Sequence, residues 1–423
     1  MFLENRLEKM FERVKLTQPV PLRINLWSGR SFDLGPEPRV TMTVPHIRGV
    51  RYLLSPDLMK LGEAYVEGYI KVEGSLRDVF EVGERFARSV SQRASAFAPM
   101  RRLRGHSRRK DKRAIQYHYD VSNDFYALFL DRNMVYSCAY FESEDDTLDQ
   151  AQENKLDHIL TKLMLKPGER LLDVGCGWGA LIFRAVEKYG AHAVGITLSQ
   201  NQYDYVRRKI HEKGLEGRCE VRLQDYRDVP ERGGFDKISS IGMFEHVGLK
   251  NLPVYFERLR ELLRDGGLIL NHGITSSHPD SYAVGRGAGE FIDRYVFPHG
   301  ELPHLSRVVR EMAAAGFEVT DVESLRRHYA RTCAHWAEGL ERARDRAIAL
   351  AGERRYRIWS VYLQGCAHGF EQGWMNIYQV LVCKAGSPEL NGLPLTRQYM
   401  YDRKNAGTAG AERGRTAALS HAE

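Results

Sequence analysis

The chain has 423 residues, of which 43 % are hydrophobic, and a formal net charge of +7. That length exceeds one ordinary compact core and argues for two or three domains. No apolar run is long enough to cross a membrane, and the N-terminus MFLENRLEKMFERVKL is charged throughout, so a cytoplasmic protein is expected.

The basic balance suits a polyanion, whether anionic lipid or nucleic acid, as readily as it suits a merely soluble surface. The six cysteines are Cys138, Cys176, Cys219, Cys333, Cys366 and Cys383. None forms a CxxC pair or lies at zinc-ligand spacing with histidine, so neither a disulfide framework nor a metal site is expected.

Residues 1–90 read as a small mixed domain. VPLRINLWSGRSFDLG alternates apolar and polar residues around Ser28-Gly29, which predicts a hairpin. In DLMKLGEAYVEGYIKVEG, Leu58, Leu61, Ala64 and Tyr65 have helical spacing, and the stretch from Gly68 to Gly74 is strand-like. Residues 91–113, SQRASAFAPMRRLRGHSRRKDKR, are dense in Arg, Lys, Ser and Ala. They form either a solvated linker or a basic patch for an anionic membrane surface, where each basic residue contributes about 1 kcal/mol. Few aromatics interleave the charges, which disfavours a base-stacking surface.

A domain over 114–385 follows, and between residues 150 and 275 helix and strand alternate. QENKLDHILTKLML is helical, ERLLDVGCG is a strand entering a glycine turn, and ALIFRAVEKYG is a helix stopped by Gly190. AHAVGITLS, RCEVRLQDY, DKISSIGMFEHV and GGLILNHGI supply further strands, with NQYDYVRRKIHEKG helical between them. This alternation predicts an α/β fold with a doubly wound parallel sheet. Residues 300–375 read as mainly helical. The tail 386–423 is rich in Gly, Ala, Arg and Ser and is expected to fray.

LLDVGCGWGAL places a tight glycine turn between a strand and a helix. Gly175, Gly177 and Gly179 let backbone approach a ligand, and the following helix points its first N–H groups at it. Gly175, Gly177 and Ala180 also satisfy the relaxed dinucleotide pattern. Two features favour S-adenosylmethionine instead. Asp173 stands where a carboxylate can face a cationic amino-acid moiety. The acid that a dinucleotide ribose wants about 20 residues on is missing, since Gly195 to Ser199 reads GITLS. Thr197 and Gln202 are the candidates to bond the ribose.

Four further segments bring aromatics, a cysteine, a glutamate and histidines near strand ends: QYHYDVSNDFYALFLD, MVYSCAYF, SIGMFEHVG and LNHGITS. Together with LDVGCGWG, TLSQNQ and YVFPHGELP they closely resemble the cyclopropane-fatty-acyl-phospholipid synthase family, strongly over residues 110–385. Residues 1–90, with LGEAYVEGYIKVEG, resemble its N-terminal domain, which implies a lipid- or membrane-related role. The resemblance implies a Rossmann-like methyltransferase sheet with helical insertions. It implies that an alkene of an unsaturated phospholipid acyl chain attacks the methyl of S-adenosylmethionine, and that the resulting carbocation loses a proton to bound bicarbonate as the ring closes.

The residues matching the bicarbonate ligands are Cys138, Glu245, His272, Ile274 through its backbone, and Tyr329. Tyr136 and Ser137 match the family's YS pair at the cofactor. Tyr226 and Arg227 fall where members carry Trp-Glu near the adenine, so Arg227 departs from the pattern, and Asp225 is a candidate for the adenine amino group. The resemblance also marks Cys366 as a candidate nucleophile, although the chemistry needs no thiol and packing is favoured.

The implied chemistry obeys simple requirements. A weak, uncharged nucleophile needs proximity to an activated methyl, and the cation needs a dry pocket. Tyr117, Tyr119, Phe125, Tyr136, Tyr140 and Trp178 can offer aromatic faces to a positive centre. Peripheral contact with an anionic membrane and a homodimer are expected. Transfer without ring closure, giving a methyl-branched or methylene product, is the alternative. A nucleic-acid methyltransferase would bring a recognition module, and none is visible.

Overall fold

The computed structural model describes residues 2–90, 97–98, 122–285, 287–297, 300–386 and 393–401. By compactness the chain forms two units. One comprises residues 1–103, 276–300 and 330–375, and the other 104–275, 301–329 and 376–423. The division thus runs differently from the boundaries read from sequence, because two later stretches group with the N-terminal residues. Apart from Phe97–Ala98, the basic segment 91–113 lies outside the described residues, as do Tyr117, Tyr119 and the end of the tail.

The first unit contains strands β1 (Leu22–Leu26), β2 (Ser31–Asp33), β3 (Val40–Val44) and β4 (Lys71–Glu73), in the order β2-β1-β3-β4. The hairpin predicted around Ser28-Gly29 is present, with Gly29 at φ 84° where the turn needs a left-handed residue. β3 runs parallel to β1, so the sheet is mixed. Leu22, Ile24, Leu26, Val40, Met42 and Val44 alternate inward and pack against the helices Phe2–Thr17 and Leu76–Val90 through Leu7, Phe11, Val82 and Phe86. The strand-like stretch after Gly68 shortens to β4. A two-residue ribbon pairs β5 (Phe97–Ala98) with β11 (Ala283–Val284). The helix Glu353–Glu371 belongs to this unit and sets His368 Nε2 2.8 Å from Glu84 Oε2, both buried.

The second unit is built on β6 (Arg170–Val174), β7 (His192–Thr197), β8 (Cys219–Leu223), β9 (Phe235–Ile241), β10 (Leu263–Ser276), β12 (Phe317–Ser324) and β13 (Met375–Lys384), ordered β12-β13-β10-β9-β6-β7-β8. Pairings from β10 through β8 are parallel. β12 and β13 pair antiparallel, which departs from the all-parallel expectation and is a common way to finish the edge of such a sheet. β12 also lies inside the stretch read as mainly helical.

Successive strand residues face opposite layers. Leu171, Leu268 and Leu270 meet Leu156, Ile159, Leu181, Ile182 and Val206 on one side. Leu172 and Ile269 meet Tyr255, Phe256, Leu259 and Met312 on the other. The sheet is therefore doubly wound, as expected. β6 lies between β7 and β9, so the carboxyl ends of β6 and β9 flank a switch point, where such folds bind ligands. The tail expectation fails for residues 393–401. Met400 is buried in the first of these layers, and Arg397 Nε lies 2.6 Å from Asp321 Oδ1, because Leu393, Tyr399 and Met400 interrupt the polar composition with packable side chains.

Candidate active site

β6 delivers Asp173 and then a loop in which Gly175, Gly177 and Gly179 all have positive φ, at 81°, 56° and 87°. Gly179 caps the helix Ala180–Glu187. A Cβ on Gly175 would come within 2.9 Å of Met243, so the loop closes against the segment after β9. Asp173 is buried and accepts a hydrogen bond from Ser239 Oγ at 2.7 Å. Burial pushes its carboxyl up to about 6. The cleft over this loop is lined by Tyr136, Ser137, Lys155, Asp173, Trp178 and Thr197, among others.

The Tyr136-Ser137 pair is held from below. Asp131 accepts the N–H groups of Asn133 at 2.9 Å and Val135 at 2.7 Å. Gln152 Nε2 donates to the carbonyl of Ser137 at 2.9 Å, and Lys155 Nζ donates to Ser137 Oγ at 2.8 Å. Gln152 and Lys155 share the helix Leu148–Lys162, which starts on a capping box formed by Thr147 and Gln150. Trp178 Nε1 donates to Asn123 Oδ1 at 2.9 Å, and its ring centroid lies 5.0 Å from that of Tyr126.

At the ribose end, Thr197 Oγ1 donates to Gln202 Oε1 at 2.8 Å, which unites the two predicted residues. Beyond them Tyr226 is buried edge-on against Tyr255. Arg227, the departure from the family pattern, grips Asp225 through Nε at 2.7 Å and Nη2 at 2.6 Å. Both carboxylate oxygens of Asp225 therefore receive Arg227 donors.

Past β9 the chain turns at Gly242 and forms a short 3-10 turn, Phe244–His246. Phe244 packs on β10 so closely that a Cβ on Gly273 would fall 1.8 Å from its ring. That contact buries Glu245 rather than leaving it as a surface acid. Glu245 Oε1 accepts the Ile274 N–H at 2.6 Å, and burial pushes the carboxyl up to about 7. The implied backbone donor Ile274 is thus engaged by Glu245 itself.

His272 is 1 % exposed, and burial holds its pKa well below the ordinary imidazole value. Gln379 Nε2 lies 3.3 Å from its Nδ1. With the amide donating there, the neutral ring carries its proton on Nε2. Glu245 Oε2 and His272 Nε2 are buried and have no partner among the described residues. The Cys138 thiol is buried and faces the carbonyls of Ala139 at 3.3 Å and Leu325 at 3.8 Å. Leu325 O in turn accepts the backbone N–H of Tyr329, in the first turn of the helix Arg326–Arg342.

Residues 106–380 match the family model described as mycolic acid cyclopropane synthetase. The chain belongs to that family. Residues 7–95 match a second model, described as a domain of unknown function. A probable fatty acid methyltransferase of Pseudomonas putida is 50 % identical over 382 residues, covering 90 % of this chain and 96 % of that protein. Cyclopropane mycolic acid synthase 1 of Mycobacterium tuberculosis is 42 % identical over 274 residues, covering 63 % of this chain and 94 % of its own length. Among solved structures, mycolic acid cyclopropane synthase CmaA1 complexed with SAH and CTAB is 40 % identical with a TM-score of 0.61, covering 67 % of this chain and 99 % of that one.

Membership of this S-adenosylmethionine-dependent family fits the cleft over the glycine loop. Cys366 lies on the helix Glu353–Glu371 of the other unit, where burial pushes its thiol up to about 12. That direction works against a thiolate and suits the packing role favoured from sequence. Sequence reading missed Asp131, Gln152, Lys155 and Gln379. Gln152 and Lys155 recur with His158 and Lys162 at helical spacing on a helix that packing, not sequence, shows to be buried over most of its length.

Proposed function

We propose that this protein transfers a methylene group from S-adenosylmethionine to the double bond of unsaturated acyl chains in membrane phospholipids and closes a cyclopropane ring, with bicarbonate as the base. One observation carries the reading. Glu245 Oε2 and His272 Nε2 are buried polar atoms without partners among the described residues, next to a cleft suited to a methyl donor. Leaving such atoms unsatisfied costs about 1–3 kcal/mol each, so they mark a site for a polar ligand.

The residues fit a small anion. Neutral His272 donates from Nε2, and Glu245, with its raised pKa, can share a proton with a neighbouring oxyanion instead of repelling it. Glu245, His272, Cys138 and Tyr329 would hold the bicarbonate, and the glycine loop with Asp173, Ser137 and Thr197 would hold the cofactor. When bound, S-adenosylmethionine supplies an activated methyl group and bicarbonate a base. The chain orients the methionyl end through Asp173 and Ser137, excludes water with Tyr126, Tyr136 and Trp178, and keeps a proton at Glu245 close to its balance point.

The proposal extends to a peripheral contact with an anionic membrane on the cytoplasmic side and to a homodimer. Among the described residues no helix is long and apolar enough to cross a membrane, yet the acyl chain must leave the bilayer to react. The net charge of +7 and the basic segment 91–113 support attraction to anionic lipid. A second reading, methyl transfer without ring closure, is favoured by the name of the Pseudomonas putida relative. Turnover of unsaturated phospholipid vesicles in carbonate-free buffer tests the proposal. Activity should fall and return on adding bicarbonate, and undiminished ring formation without it would overturn the role of the anion pocket.

A further inference from the structure

We infer that Lys155 recognises the carboxylate of the methionyl end of the methyl donor, so that Lys155 and Asp173 together read the amino-acid zwitterion. The inference rests on the reading of the cleft as an S-adenosylmethionine site.

Among the described residues, the Asp, Glu, Lys and Arg side chains that line that cleft are Lys155, Asp173, Asp225 and Arg227. Asp225 and Arg227 satisfy each other by a two-pronged ion pair. Lys155 and Asp173 are left, one ammonium and one carboxylate, both buried and neither in an ion pair among the described residues. An amino-acid end presents one carboxylate and one ammonium.

Lys155 is 1 % exposed, and its one hydrogen bond among the described residues runs to Ser137 Oγ at 2.8 Å. An ammonium has three donors, so two remain to be used. A buried charge left without a counter-ion is costly, which makes an uncommitted buried lysine an unusual feature to keep in a core.

Nearby acids do not account for it. Asp131 spends its carboxylate on the N–H groups of Asn133 and Val135, and Asp173 Oδ1 takes the Ser239 hydroxyl. Both sense Lys155 only through space. Burial lowers the Lys155 ammonium to about 8 and raises Asp173 to about 6, so each is drawn toward its neutral form and would regain its charge beside an opposite partner. With Lys155, Asp131 and Asp173 charged, the group carries one net negative charge. S-adenosylmethionine, with its sulfonium and zwitterion, carries one net positive charge.

The test compares calorimetric binding of S-adenosylhomocysteine with that of its decarboxylated analogue, which keeps the amine, the thioether and the nucleoside. The full-length protein should prefer S-adenosylhomocysteine by about ten- to hundredfold. Lys155→Met should lose that preference by weakening S-adenosylhomocysteine alone, and Lys155→Arg should restore part of it. Equal affinities of the unmodified protein for the two ligands would overturn the inference even if the variants fail to fold. So would a Lys155→Met protein that weakens both ligands equally, the mark of a structural role. If the unmodified protein binds neither ligand, the cofactor reading itself falls.

Discussion

Glu245 Oε1 accepts the backbone N–H of Ile274 at 2.6 Å, which ties the turn after β9 to the end of β10 and leaves Glu245 Oε2 buried without a partner among the described residues. The relationship ties an acid of raised pKa to the strand that carries His272, two residues before Ile274.

Replacing that acid should separate chemistry from stability. Between the ordinary carboxyl value of 4.5 and about 7, the unfolded chain gives up a proton that the folded chain keeps at Glu245. The native state therefore loses stability as pH rises through this window, and the penalty is complete above it. Glu245→Gln keeps the acceptor for Ile274 and removes the penalty. The variant should gain stability over the parent at pH 8, on the order of 3 kcal/mol, and little at pH 4, as read by denaturant titration at both values. Its turnover should fall by about two to four orders of magnitude.

Gly273→Ala should be severe. Its Cβ would fall 1.8 Å from the Phe244 ring, so the turn that carries Glu245 must shift. A stability loss of about 1–3 kcal/mol or more is expected, together with loss of the raised Glu245 pKa from the activity profile.

Gln379→Leu removes the group facing His272 Nδ1. The ring is then free to place its proton on either nitrogen. Apparent affinity for bicarbonate should weaken by about ten- to hundredfold with less effect on S-adenosylmethionine, measured by varying each at saturating levels of the other.

Cys366→Ala should leave turnover within about twofold of the parent while costing on the order of 1 kcal/mol of stability, because the buried thiol serves packing. A large loss of turnover with unchanged cofactor binding would restore Cys366 as a candidate for the chemistry.

Binding to anionic vesicles should weaken steeply between low and physiological salt, and neutralising Arg101, Arg102, Arg104, Arg108 and Arg109 should abolish that salt dependence. Sedimentation with vesicles of defined phosphatidylglycerol content reads both effects.

Much of this architecture is legible in the chain itself. The alternation from Arg170 to Ser276 gave the doubly wound sheet, and the three positive-φ glycines after Asp173 gave the cofactor loop. β12 is not legible because FEVTDVES, a half-buried edge strand, carries five polar residues to three apolar ones and lies between two helices. Residues 393–401 were lost because glycine and arginine around them outweigh Tyr399 and Met400 in composition. Lys155 and Gln379 were invisible for a physical reason. A polar side chain in a helix or strand normally marks the wet face, and only tertiary packing shows that the helix Leu148–Lys162 has almost none. The residues proposed to hold the anion are legible only through family resemblance, since Cys138, His272 and Tyr329 each look like ordinary packing residues alone.

Product analysis tests the central claim most directly. The protein is incubated with a phospholipid of defined unsaturation and methyl-labelled S-adenosylmethionine, and the acyl chains are characterised by mass spectrometry and proton resonance. The account predicts a mass gain of one CH2 together with high-field cyclopropyl protons that carry the label. An exocyclic methylene signal or a methyl branch in place of the ring would contradict it.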